Sequence, residues 1–192
     1  MRLLDLGLSV QGKLRELPYR AYLLAMSVIV RRLAEIYADV LPEEARLLAA
    51  QTAEATKTAY LAGAPAADDA WRLHQRWTQL IGDPDDPGNP IDGPRGMFCA
   101  MYTFDELAGE LAGKMAQRAA LGQVTNAAKL PDPRLPAPVG PRLVRVGAEV
   151  ADENSPVVQL MRKYEEVAAL AARQHHTGLL CDPDQIYSVV FG

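Results

Sequence analysis

The chain has 192 residues, enough for one sizeable core and a better fit to one domain than to two. Its 49% hydrophobic and 23% charged residues give the balance of a globular protein and exclude disorder of the whole chain. A formal net charge of −4 argues against a dedicated nucleic-acid binder, which carries a basic face.

At the start, Met1–Val10 holds Asp5 and Gly7 within its apolar stretch, and no cleavage-like site follows, so it does not read as a signal peptide. The longest uncharged run, Ala21–Val30, is ten residues. A membrane span needs about twenty, so this run is expected to be a buried helix segment and no membrane partner is expected. It belongs to a first predicted helix from about Pro18 to Val40. There Tyr22, Met26, Ile29, Leu33, Ile36 and Val40 recur at three- and four-residue steps. Leu23, Leu24 and Val30 widen the stripe almost to the full circumference, which predicts a helix at the centre of a bundle.

A second helix is predicted from Pro42, with Glu43 and Glu44 in its first turn and Gly63 and Pro65 at its end. A third covers about Ala66 to Ile81, with Leu73, Trp77 and Leu80 marking its buried side and Gly82 as a C-terminal cap. The segment 83–96, reading DPDDPGNPIDGPRG, is a loop by its prolines and glycines. After an apolar lead-in at Met97–Tyr102, Thr103 and Glu106 stand at capping-box spacing. Phe104, Leu107, Leu111 and Met115 then predict a fourth helix ending near Gly122. Gly109 and Gly113 lie four apart on it, for which a close helix crossing is the simplest compensation.

The connector 129–141 is proline-rich and extended or coiled. Leu143–Val146 alternates enough for a short strand. A fifth helix starts at Pro156, lines Val157, Met161, Tyr164, Ala168 and Ala171 along one face, and closes at Gly178. The tail Ile186–Phe191 is β-prone and is expected to pair with Leu143–Val146. The predicted fold is therefore mainly α: one domain over residues 1–192, a bundle of about five main helices, with at most a short strand pair near the C-terminus.

Chemistry-bearing residues fall in three places. Asp83, Asp85, Asp86, Asn89 and Asp92 crowd the first loop. An EF-hand needs a bidentate Glu at its twelfth position, and Pro94 stands there when counting starts at Asp83, so the loop is read as an acidic docking element and not a calcium site. His175 and His176 adjoin at the end of the fifth predicted helix, where a histidine favours the helix dipole and adjacent side chains diverge by about 100°. With Cys181, Asp182 and Asp184 they form an alternative acid–base site. His74 stands three residues from both Trp71 and Trp77, on one helical sector.

Nothing in this inventory matches a nucleophile elbow, a phosphate-cradling glycine loop or a metal-ligand spacing, and no cofactor or metal is expected. Cys99 and Cys181 are expected to be reduced thiols of a cytoplasmic protein. The excess of Arg over Lys and the scarcity of Ile, Phe and Asn suit a GC-rich bacterial coding sequence. Together these features lead us to expect a non-catalytic protein-binding protein whose loop residues Asp83, Asp85, Asp86 and Asp92 steer a partner with a basic surface. The alternative is a small helical enzyme or ligand-binding protein using His175, His176 and Asp182 with His74.

Overall fold

Apolar residues at helical spacing close into helices throughout the computed structural model, which describes residues 3–63, 67–82, 95–128 and 156–192. Eight helices are found among the described residues, and no strand. They are α1 (Leu3–Glu16), α2 (Tyr19–Ile36), α3 (Glu43–Ala62), α4 (Ala67–Ile81), α5 (Arg95–Leu111), α6 (Leu121–Ala128), α7 (Pro156–Thr177) and α8 (Pro183–Phe191).

The predicted central helix is α2. Every residue from Ala21 to Val30 is buried, and α1, α3, α5, α7 and α8 all pack on it. Pro18 begins it without loss of a helical donor. The chain leaves the helix at Tyr37, whose carbonyl accepts from the Leu41 amide as the turn closes. The next helix, α3, runs back along α2 and ends at Gly63, whose φ of +68° provides the left-handed cap that a side chain would strain. Leu73 and Trp77 of α4 face inward as expected, and the Trp77 ring stacks on Phe104 of α5 at 5.4 Å.

Four expectations are corrected. First, α1 was not foreseen. Val10, Leu14 and Leu17, spaced by four and three, bury one side of this segment against α6 and α7. Second, the fourth predicted helix is two. Thr103 does not cap a helix; it lies inside α5, where its hydroxyl donates to the Cys99 carbonyl one turn back at 2.7 Å. The apolar series Met97, Ala100, Met101, Phe104 runs through the supposed start, so α5 opens at Arg95, within the predicted loop, and stops at Leu111. Third, Gly113 (φ +69°) lies beyond α5 and not on a helix crossing. Gly109 instead gives room to Met115, whose Sδ stands 2.6 Å from where a Cβ would be.

Fourth, the tail Ile186–Phe191 is helical, not a strand. Asp182 accepts from the Asp184 amide and Pro183 occupies the first turn, so the chain enters a helix whatever the β propensity of the residues that follow. Ile186, Tyr187 and Val190 then bury one face of α8 on α2 and α7. The proposed partner strand Leu143–Val146, the connector 129–141 and loop positions 83–94 lie outside the described residues. Among the described residues no helix is long and apolar enough to cross a membrane.

Candidate functional site: the cleft between α2 and α3

Antiparallel α2 and α3 leave an open cleft of about 510 Å³ on their outer side, with the start of α8 at one end. Its floor is small and apolar: Ala34 and Ala38 from the α2 side, Ala50 and Ala53 from α3. The α3 residues Arg46, Ala50, Ala53, Glu54 and Lys57 recur at spacings of three and four, so they share one face of that helix and turn it into the cleft. The volume lies within the range of about 300–1,000 Å³ usual for a ligand pocket.

Charged side chains form the rim. Asp184 joins the walls: its carboxylate takes Lys57 Nζ at 2.6 Å from α3 and the Arg31 guanidinium at 3.0 Å from α2. The hydrogen bond from Lys57 holds the Asp184 carboxyl below its ordinary range, and the same bond raises the Lys57 ammonium. Arg31 also lies over the Tyr187 ring at 3.9 Å and pairs with Glu35 at 3.4 Å, while the Tyr187 hydroxyl donates to Glu35. This network fixes α8 across the end of the cleft. Farther along α3, Arg46 and Glu54 are exposed and make no ion pair among the described residues.

Of the residues singled out by sequence, Asp184 lines this cleft and Asp182 lies beside it. Asp182 caps α8 and stands 3.6 Å from Lys57. His175 and His176 are exposed at the end of α7, their rings 6.2 Å apart and edge to face. His175 lines a smaller hollow of about 170 Å³ with Arg20, Tyr60 and Gln174, in which Arg20 donates to the Tyr60 and Leu61 carbonyls at the end of α3. Cys181, buried in the α7–α8 link, has its thiol pushed up by burial.

His74 is elsewhere, on α4. Its Nδ1 is 2.8 Å from Asp105 Oδ1 of α5, and Thr78 donates to the same oxygen at 3.4 Å. Burial raises the Asp105 carboxyl against the lowering effect of His74. Trp71 lies against the His74 ring at 5.5 Å, with Lys114 over the indole. The structure thus pairs His74 with Asp105 and not with His175, His176 or Asp182. Asp83, Asp85, Asp86 and Asp92 lie outside the described residues. Among the described residues no group of three or more His, Cys, Asp or Glu side chains is placed to hold a metal ion.

Sequence reasoning missed Arg31, Glu35, Arg46, Glu54, Lys57 and Tyr187. For Arg46, Glu54 and Lys57 the only sequence signal is the helical repeat of charges around alanines on α3, which is also what any solvated helix face displays. Compared with protein-family models, with curated proteins and with solved structures, the chain matches none.

Proposed function

We propose that this chain is a non-catalytic binding protein of a bacterial cytoplasm that seats a segment of a protein partner in the α2–α3 cleft. The observation that carries the reading is the cleft itself: an alanine floor bordered by two exposed charges of opposite sign, Arg46 and Glu54, that make no ion pair among the described residues. Alanines let a partner's backbone or side chains approach closely. Arg46 and Glu54, two helical turns apart on α3, fit a segment carrying an acidic group and a basic group at matching separation. The acidic positions Asp83, Asp85, Asp86 and Asp92 would add long-range steering of a basic partner surface.

The test is capture of a partner by the parent chain and by Ala53→Trp, which fills the cleft floor. Ala53 is only partly buried, so the variant should melt within about 2 °C of the parent. The reading requires a defined partner that binds the parent and is lost with Ala53→Trp; a partner bound equally by both would overturn it.

A second reading, acid–base catalysis, is favoured by the His74–Asp105 pair at 2.8 Å, the geometry by which a carboxylate fixes an imidazole tautomer. A reaction abolished by His74→Gln and untouched by Ala53→Trp would move the function to that site.

A further inference from the structure

Glu110 is an acid in an apolar place. It lies in the last turn of α5, 4% exposed, among Leu107, Ala108 and Leu111. The buried Tyr22 hydroxyl donates to its Oε2 at 2.8 Å, and its other oxygen, Oε1, has no hydrogen-bond partner among the described residues. The last turn of a helix carries the negative pole of its dipole, so the surroundings oppose a second negative charge there. Burial, first of all, carries the Glu110 carboxyl up to about 8, against the lowering effect of the Tyr22 hydroxyl and the Ala119 amide.

The cation that faces this acid is engaged elsewhere. Arg118, in the connection between α5 and α6, donates to the Leu17 carbonyl at the α1–α2 junction and lies over the Tyr22 ring at 5.6 Å. Its backbone is held at a φ of +71°, the left-handed region that a non-glycine residue enters only when its surroundings compensate. The other titratable groups facing Glu110 are Tyr19 and Tyr22 from α2 and Glu106 from its own helix. Glu106 accepts from Gln123 of α6 at 3.2 Å. From α4, His74 is held by Asp105 and adjoins Gly109, and α3 contributes the neutral Thr52 and Thr56 to the core.

We infer that Glu110, Tyr22 and Arg118 form a proton-operated latch that ties the α1–α2 junction to the α5–α6 connection, closed while the Glu110 carboxyl is neutral and released when it ionises. The neutral carboxyl keeps the bond from Tyr22 at Oε2 and carries no charge to draw Arg118 from the Leu17 carbonyl. When the proton leaves to solvent, a buried carboxylate with one oxygen unbonded demands a cation or water. Arg118 meets that demand by quitting the Leu17 carbonyl, and α1 loses its tie to the start of α2. The sign follows from the direction of the shift. A carboxyl raised in the folded state contributes stability in full below its unfolded value, and that contribution is lost as pH rises through about 8. The latch does not depend on the cleft reading.

The experiment is hydrogen–deuterium exchange of the full chain at about pH 6 and about pH 9, as protection factors corrected for the intrinsic rate. In the parent, Leu3–Glu16 should lose protection about tenfold or more at the higher pH, while α3 and α4 keep theirs. Glu110→Gln, a permanently neutral mimic, should keep α1 protected at both values. Arg118→Ala should leave α1 less protected at both. Equal protection of parent α1 at both pH values, or a loss spread evenly over all helices, overturns the latch. So does a loss in Glu110→Gln that matches the parent. Should Glu110→Gln not fold, a ¹³C titration of the Glu110 carboxyl in the parent decides: a midpoint near 8 that coincides with loss of α1 protection supports the latch, and a midpoint in the ordinary carboxylate range ends it.

Discussion

The indole N–H of Trp77 donates to the Thr52 hydroxyl at 3.0 Å in a core where neither residue has any exposure to solvent. Thr52 in turn donates to the Leu48 carbonyl at 2.8 Å, so one hydroxyl satisfies α4 and anchors itself on α3. Thr52→Val keeps the shape and removes the acceptor, leaving a buried indole N–H unpaired. The expected loss is about 1–3 kcal/mol by chemical denaturation. A variant as stable as the parent would show that the bond across α3 and α4 contributes nothing.

Ile29 has no exposure at the centre of α2. Ile29→Asp buries a charge with no partner, and the loss should exceed about 4 kcal/mol, enough to remove cooperative unfolding near room temperature. Melting within about 2 °C of the parent would displace α2 from the centre of the fold. Far-ultraviolet circular dichroism of the parent should be helix-dominated.

Two glycine substitutions should have opposite signs. Gly12 lies inside α1 with nothing within 4 Å of the place a Cβ would take, so Gly12→Ala should stabilise by up to about 1 kcal/mol through helix propensity. Gly63 caps α3 at φ +68°, and Gly63→Ala should destabilise by about 1 kcal/mol although the nearest neighbour, the Arg20 guanidinium, leaves room at 3.6 Å. Thermal denaturation of the pair checks both signs.

At the end of the cleft, Asp182→Ala removes the N-cap of α8 and should lower stability by about 0.5–2 kcal/mol. Asp184→Asn breaks the pairs with Lys57 and Arg31, both partly exposed, and should lower it by no more than about 1 kcal/mol, with the difference shrinking at high salt. Because the Asp184 carboxyl is held low in the folded state, its contribution is present above the ordinary carboxylate range and fades as pH falls, the reverse of Glu110. Denaturation of parent and Asp184→Asn across acidic pH should therefore converge.

The centre of the fold was legible because burial there follows local pattern: a helix apolar on all sides, such as α2, has only one place to go. Helix ends were legible where glycine took a left-handed cap, as at Gly63 and Gly82. The tail was misread because Val189, Val190 and Phe191 favour strands by propensity, whereas Asp182 and Pro183 carried the contrary start signal and prevailed. Thr103 misled for a similar reason, since its hydroxyl serves a cap or a bond to the preceding turn equally well. Sequence pointed to His74 but not to its partner, because Asp105 is 31 residues away and meets it only through the packing of α4 on α5. The cleft and the Glu110 site are products of tertiary packing in the same sense: Glu110 and Tyr22 are 88 residues apart.

The most direct test of partner seating in the α2–α3 cleft is site-specific photocrosslinking in the native host. A photoactivatable residue replaces Ala50, exposed in the cleft, or Arg173, exposed on α7, each with and without Ala53→Trp. The cleft reading predicts one discrete crosslinked protein from position 50, none of the same mass from position 173, and loss of the product when Ala53→Trp is present. The same product from both positions, or a product from position 50 that persists with the cleft filled, would contradict it.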